Sequence, residues 1–143
     1  MELISEQPVK TVVLVDDDDL VRRLVSRVLE REGYRVLGAT SGEEGLELVE
    51  RTRTADLLLT DVTLPGEVDG LELGRRALRE RSDLKLVCMS GYGEEDLAVD
   101  LMSIASTAVF LSKPFSTDEL VETVNRLLDG PVVNGGSRAS ELA

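Results

Sequence analysis

Five short apolar runs, each followed by an amphipathic stretch, constrain this chain more than any other feature. The runs are 11–15, 34–37, 56–60, 84–89 and 108–111. Most are continuously apolar rather than alternating, the pattern of strands covered on both faces. Repeated strand–helix order predicts the α/β class, with a doubly wound parallel sheet and right-handed crossovers. In such sheets sites form beyond the carboxyl ends of the strands. The residues at each strand end therefore matter most.

The amphipathic stretches predict five helices. The first carries Leu20, Val21, Leu24, Val25, Val28 and Leu29 on one face and Arg22, Arg23, Arg27 and Glu30 elsewhere, and Gly33 ends it. The second opens at Ser41, whose spacing to Glu44 fits a capping box, and runs to about residue 51. The third covers about 71–81 and the fourth about 94–104. The last opens on Ser116 and Glu119, another capping box, carries Leu120, Val121, Val124, Leu127 and Leu128, and is stopped by Gly130 and Pro131. Residues 1–8 read as a flexible N-terminus, 9–129 as one domain, and 130–143 as a glycine-rich tail or linker.

Composition removes several functions. A net charge of −12 lacks the basic footprint of a nucleic-acid binder. There is no histidine, so histidine acid–base catalysis and histidine metal ligation are absent, and any phosphohistidine must belong to a partner. A lone cysteine, Cys88, lies inside an apolar run and reads as a small buried hydrophobe. The N-terminus MELISEQPVK has no basic start, and no apolar run approaches the ~20 residues of a membrane span. The expectation is a cytoplasmic protein that does not enter a membrane.

The strand ends are chemically rich. The first leads into VDDDD, the third into LLLTDVTLPG, the fourth into CMSGYG and the fifth into SKPF. One sheet edge should therefore collect Asp16, Asp17, Asp61, Ser90 and Lys113. Two like charges ~4 Å apart repel by roughly 4 kcal/mol at an effective dielectric near 20, and a divalent cation would offset that cost. Magnesium takes oxygen ligands, commonly one or two carboxylates plus a phosphate. A carboxylate can attack phosphorus, and a lysine can neutralise the transferring oxygens. Asp18 and Asp19 read as an acidic helix start that favours the helix dipole.

The motifs VLVDDD, LLLTDVTLPGEVDG, VCMSGY and FLSKPF stand in the order and at the spacings of the response-regulator receiver domains of two-component signalling, and residues 10–129 resemble that family. The resemblance implies a flavodoxin-like sheet of order 2-1-3-4-5 with five helices. It implies phosphorylation on Asp61. Magnesium (or manganese) would be held by Asp17, by Asp16, usually through water, by Asp61, and by the backbone carbonyl of Thr63. Lys113 would pair with Asp61 and then with the phosphoryl group, before a cis bond to Pro114. Ser90 and Phe110 would form the switch, and Thr63 and Tyr92 would tune dephosphorylation. The phosphodonor would be a histidine kinase or a histidine phosphotransfer protein. An output partner would bind around the fourth helix, fifth strand and fifth helix, with the chain a monomer or a phosphorylation-dependent dimer. The chain would catalyse only its own phosphorylation and autodephosphorylation.

Two departures stand out. The loop after Pro65, GEVDG, is one residue longer than the commonest form, as in receivers attached to hybrid kinases. Phe110 also replaces a frequent tyrosine. Among other classes, an aspartate-dependent phosphatase is disfavoured because DVTL lacks the second aspartate, and an EF-hand because DDDDLVRRLVSR lacks the mid-loop glycine and closing glutamate. A flavin binder is disfavoured because no phosphate-cradling loop follows the first strand. A pseudo-receiver, a protein-interaction module that keeps the fold without being phosphorylated, is the alternative.

Overall fold

A computed structural model describes residues 8–91 and 108–129. Its elements are β1 (Thr11–Val15), α1 (Asp19–Arg31), β2 (Arg35–Ala39), α2 (Gly42–Arg51), β3 (Ala55–Asp61), α3 (Gly70–Glu80), β4 (Lys85–Ser90), β5 (Val109–Ser112) and α4 (Thr117–Leu128). The strands form one sheet in the order β2-β1-β3-β4-β5, and every neighbouring pair is parallel. Four helices lie among the described residues. The helix expected over 94–104 lies outside them, as does Tyr92.

The continuous apolar runs follow from this burial. Side chains alternate across a strand, so Val13 and Val15 enter one core while Val12 and Leu14 enter the other. The first core packs β1, β3 and β4 against Val49 of α2 and Leu73 and Ala77 of α3. The second packs the opposite sheet face against Val25 and Leu29 of α1 and Leu120, Val124 and Leu128 of α4. Each fully buried leucine or valine contributes roughly 1.5–3 kcal/mol. Cys88 belongs to the first core, where burial pushes its thiol up to about 12.

Helix ends mostly follow their local chemistry. Asp18 caps α1 by accepting from the Leu20 and Val21 amides, and Gly33 takes a positive φ of 99° just beyond the helix. Ser116 and Glu119 form the complete capping box expected at α4. At α2 only half of the expected box forms. Ser41 Oγ accepts from the Glu44 amide, but Glu44 Oε1 accepts from the Thr40 amide and hydroxyl. Those two bonds hold the Glu44 carboxyl below its ordinary range. At the end of α4 the left-handed residue is Asp129, with φ 52°, where Gly130 was the expected stop. The apolar face of α1 also divides: Val25 and Leu29 are buried, whereas Leu20 and Leu24 are 63% and 53% exposed. Six apolar positions make a stripe wider than the sheet can cover.

Two details position the strand tips. β2 runs to Ala39, two residues past the apolar run, because the Ala39 carbonyl accepts from the Asp16 amide at 3.1 Å. The β3–α3 loop folds tightly over the end of β3: a β-carbon on Gly70 would lie 1.9 Å from the Asp61 carbonyl oxygen, so only glycine fits. Among the described residues, no helix is long and apolar enough to cross a membrane.

Candidate functional site

Parallel register brings the tips of the strands level. Val15 pairs with Thr60, Asp61 with Met89, and Ser90 with Ser112. Backbone bonds extend past the strands, from the Val62 amide to the Met89 carbonyl at 3.0 Å and from the Lys113 amide to the Ser90 carbonyl at 2.8 Å. Asp16, Asp61, Ser90 and Lys113 therefore sit on or next to strand backbone that is hydrogen-bonded to its neighbours.

The acids meet at the carboxyl edge of the sheet. Asp16, Asp17 and Asp61 each offer a carboxylate oxygen, and these atoms lie within 4.8 Å of one another. Asp16 is fully buried, Asp61 partly buried and Asp17 exposed, so the cluster grades from core to solvent. Lys113 Nζ lies 3.3 Å from Asp61 Oδ2 and donates to it, and lies 3.6 Å from Asp16 Oδ2. That second distance is an ion pair but too long for a hydrogen bond. Asp16 Oδ1 accepts from the Asp18 amide at 2.9 Å, while the buried Oδ2 accepts no hydrogen bond.

The ionisation of the site follows from this packing. Burial pushes the Asp61 carboxyl above its ordinary value; Lys113 opposes the shift, Asp16 adds to it, and the Thr63 amide, which donates to the carboxylate, opposes it. Burial draws the Lys113 ammonium down, but the Asp61 and Asp16 carboxylates outweigh it and hold the group above its ordinary value. One ammonium against three carboxylates leaves negative charge in excess. A buried carboxylate oxygen without a hydrogen bond, inside an all-oxygen donor set open on one side, fits a hard divalent cation such as Mg²⁺ or Mn²⁺.

Ser90 ends β4 and is 6% exposed, beside the tip of β3. Phe110 lies on β5 opposite Cys88, partly buried against the first core. Thr63 is exposed just beyond Asp61. The Lys113–Pro114 bond is cis. Beside Lys113, an open apolar groove of about 470 Å³ runs between α1 and α4, lined by Val21, Leu24, Val25, Phe115 and Leu120. One residue escaped the sequence reading. The helical pattern sets Arg22 on the polar side of α1, yet its guanidinium donates to the Asp16 carbonyl at 2.8 Å. The available signal was a basic residue soon after four acids.

The sequence profile described as "Response regulator receiver domain" matches residues 12–125. The chain belongs to that family, the receiver domains of two-component signalling. The Sensor kinase CckA of Brucella abortus (strain 2308) is 40% identical over 120 residues, which cover 83% of this chain and 12% of that kinase. The chain thus spans a small part of that relative. The response regulator receiver protein CpdR of the same organism is 35% identical over 119 residues, covering 83% of this chain and 97% of CpdR. Among solved structures, a CheY-like response regulator receiver domain protein from Methanospirillum hungatei JF-1 superposes with a TM-score of 0.79 at 30% identity, covering 85% of this chain and 95% of that one.

Proposed function

We propose that the chain is a phosphoacceptor switch in which Asp61 takes a phosphoryl group from a phosphohistidine on a partner protein. The observation that carries this reading is a cluster of three carboxylates, two of them paired with one lysine, with Asp61 hydrogen-bonded to Lys113 and a buried Asp16 oxygen left without a hydrogen bond. An Asp61 carboxylate oxygen attacks phosphorus, an O–P bond forms, and the N–P bond to the partner's imidazole breaks. Lys113 holds the nucleophile in place and then faces the new phosphoryl oxygens. The Ser90 hydroxyl donates to one of them, and Phe110 repacks as that hydroxyl moves. Asp16, Asp17, Asp61 and the Thr63 carbonyl would hold Mg²⁺ or Mn²⁺, which supplies charge neutralisation at the phosphoryl oxygens. Thr63 and Tyr92 govern the access of water to the acyl phosphate.

Because the chain has no histidine, the donor is a separate histidine-bearing domain, a kinase or a phosphotransfer protein. The apolar groove beside Lys113, with Leu20 and Leu24 exposed along α1, supports docking of that donor within reach of Asp61. Phosphorylation adds about −1.5 to −2 charge at one point and shifts the surface seen by an output partner around β5, α4 and the helix expected over 94–104. We place this chemistry in the cytoplasm, where the chain catalyses only its own phosphorylation and autodephosphorylation.

The test is intact-mass spectrometry after incubation with acetyl phosphate, with and without Mg²⁺. One phosphoryl group should be gained only with the metal, and Asp61→Asn should gain none. Stoichiometric labelling of Asp61→Asn would remove the assignment. Absence of labelling in the unaltered chain would leave a protein-interaction module that keeps the fold alone.

A further inference from the structure

We infer that Arg22 is a positioning residue for the cation site, clamping the peptide unit between Asp16 and Asp17, and that Gly38 is small in order to let it pass. The inference deepens the proposed function and rests on it. Arg22 is 20% exposed, and its guanidinium makes two directed contacts, to the Asp16 carbonyl at 2.8 Å and to Asp19 Oδ1 at 2.6 Å. The carbonyl it binds belongs to the peptide that joins two of the three clustered acids. On the other side of Asp16, the amide is held by the Ala39 carbonyl at 3.1 Å. The Asp16 side chain is held by the Asp18 amide at 2.9 Å. Without Arg22 the Asp16 carbonyl loses the side-chain donor that fixes the peptide leading to Asp17. A planar guanidinium can bond both targets at once, whereas an ammonium is a point charge without that fork.

Gly38 completes the clamp. The Arg22 stem crosses β2 there, and a β-carbon at position 38 would lie 3.4 Å from Arg22 Cδ and 3.7 Å from Cγ. Alanine would meet the stem at ordinary contact distance. The branches of valine would take the space the stem occupies, with every charge in the protein retained and a better strand former in place.

Charge and position make opposite demands, which makes the inference testable. As a bare positive charge, Arg22 repels a cation, and removing it should tighten binding. As a clamp, losing its geometry should weaken binding. Magnesium chloride titrated into the full chain by calorimetry, at constant ionic strength, separates the two. Arg22→Lys keeps the charge and should bind Mg²⁺ about tenfold more weakly, the lower end of the effect of removing a group that orients metal ligands. Gly38→Val should weaken binding in the same direction, and it decides the matter should Arg22→Lys fail to fold. Thermal unfolding in chelator supplies the control, since a merely structural role would lower that midpoint and leave the magnesium affinity of the folded protein alone. Wild-type affinity in folded Arg22→Lys, or in folded Gly38→Val where Arg22→Lys does not fold, overturns the inference. If the unaltered chain takes up no Mg²⁺, the inference and the metal-dependent function fall together.

Discussion

The two ends of β3 each present an aspartate, and the protein treats them in opposite ways. At the amino end, Asp56 Oδ2 accepts from the Thr11 amide at 2.8 Å, where the register between β1 and β3 shifts. The same end is braced by Arg81, which donates to the Arg53 carbonyl at 3.0 Å and the Ala55 carbonyl at 2.8 Å and pairs with Asp83. Asp56, Arg81 and Asp83 each have a local partner there. At the carboxyl end, Asp61 shares one lysine with a second, buried carboxylate, and a third acid stands beside them. Asp56 is satisfied within the fold, while the acids at the carboxyl end are left with unmet demand. Buried charges that lack full compensation cost stability, and such perturbed groups concentrate at functional sites.

The sharpest way to break this contrast is Lys113→Met. It removes the only cation paired with Asp61 and Asp16 among the described contacts. Phosphoryl transfer from acetyl phosphate should slow by about 10²–10³, the range seen when one group that stabilises transition-state charge is removed. A rate within a few-fold of the unaltered chain, read by time-resolved mass spectrometry, would show the lysine to be incidental.

Asp56→Ala tests the other end. It should lower stability by about 1.5–3 kcal/mol, the scale of a lost hydrogen bond to a charged group, and leave phosphorylation rate and magnesium affinity unchanged. Urea denaturation beside the labelling assay reads both, and a loss of labelling in folded protein would erase the distinction between the two ends.

The smallest effect lies in pH dependence. Burial, opposed by Lys113 and reinforced by Asp16, raises the Asp61 carboxyl above its ordinary 3.8, so the folded state holds that proton more tightly than the unfolded chain. Its contribution to stability is full below 3.8 and is lost as pH rises through the folded value. The metal-free chain should therefore lose stability across that interval relative to Asp61→Asn, and saturating Mg²⁺ should reverse the loss. Urea midpoints of both proteins measured against pH supply the comparison, and parallel curves would mean that the Asp61 carboxylate is not strained by its surroundings.

Much of the molecule was legible residue by residue. The run at 11–15 coincides with β1, and the spacing of Ser116 and Glu119 marked the start of α4 because a capping box is made within one turn. The tips carrying Asp16, Asp61, Ser90 and Lys113 followed from where the apolar runs stop. Glu44 was harder: its distance from Ser41 suits a box, but the Thr40 amide competes for the same oxygen, and only the chain's path into α2 decides between them. Leu20 and Leu24 have the right period for the core, yet exposure depends on how much of α1 the sheet and α4 can cover. Arg22 looked like any solvated helix residue, since nothing local reveals that its guanidinium reaches back to Asp16.

By itself, the sequence determined the number of strands and the residues at their tips, because strand period and apolar continuity are short-range properties. The order of those strands came with the family resemblance and not from any residue pattern. Tertiary structure alone decided that β1 and β5, four elements of sheet apart in sequence terms, deliver Asp16 and Lys113 to within 3.6 Å of each other. It also decided which acid is buried, which is partly buried, and which oxygen has no hydrogen bond. Those quantities depend on packing between distant segments, and no pattern along the chain encodes them locally.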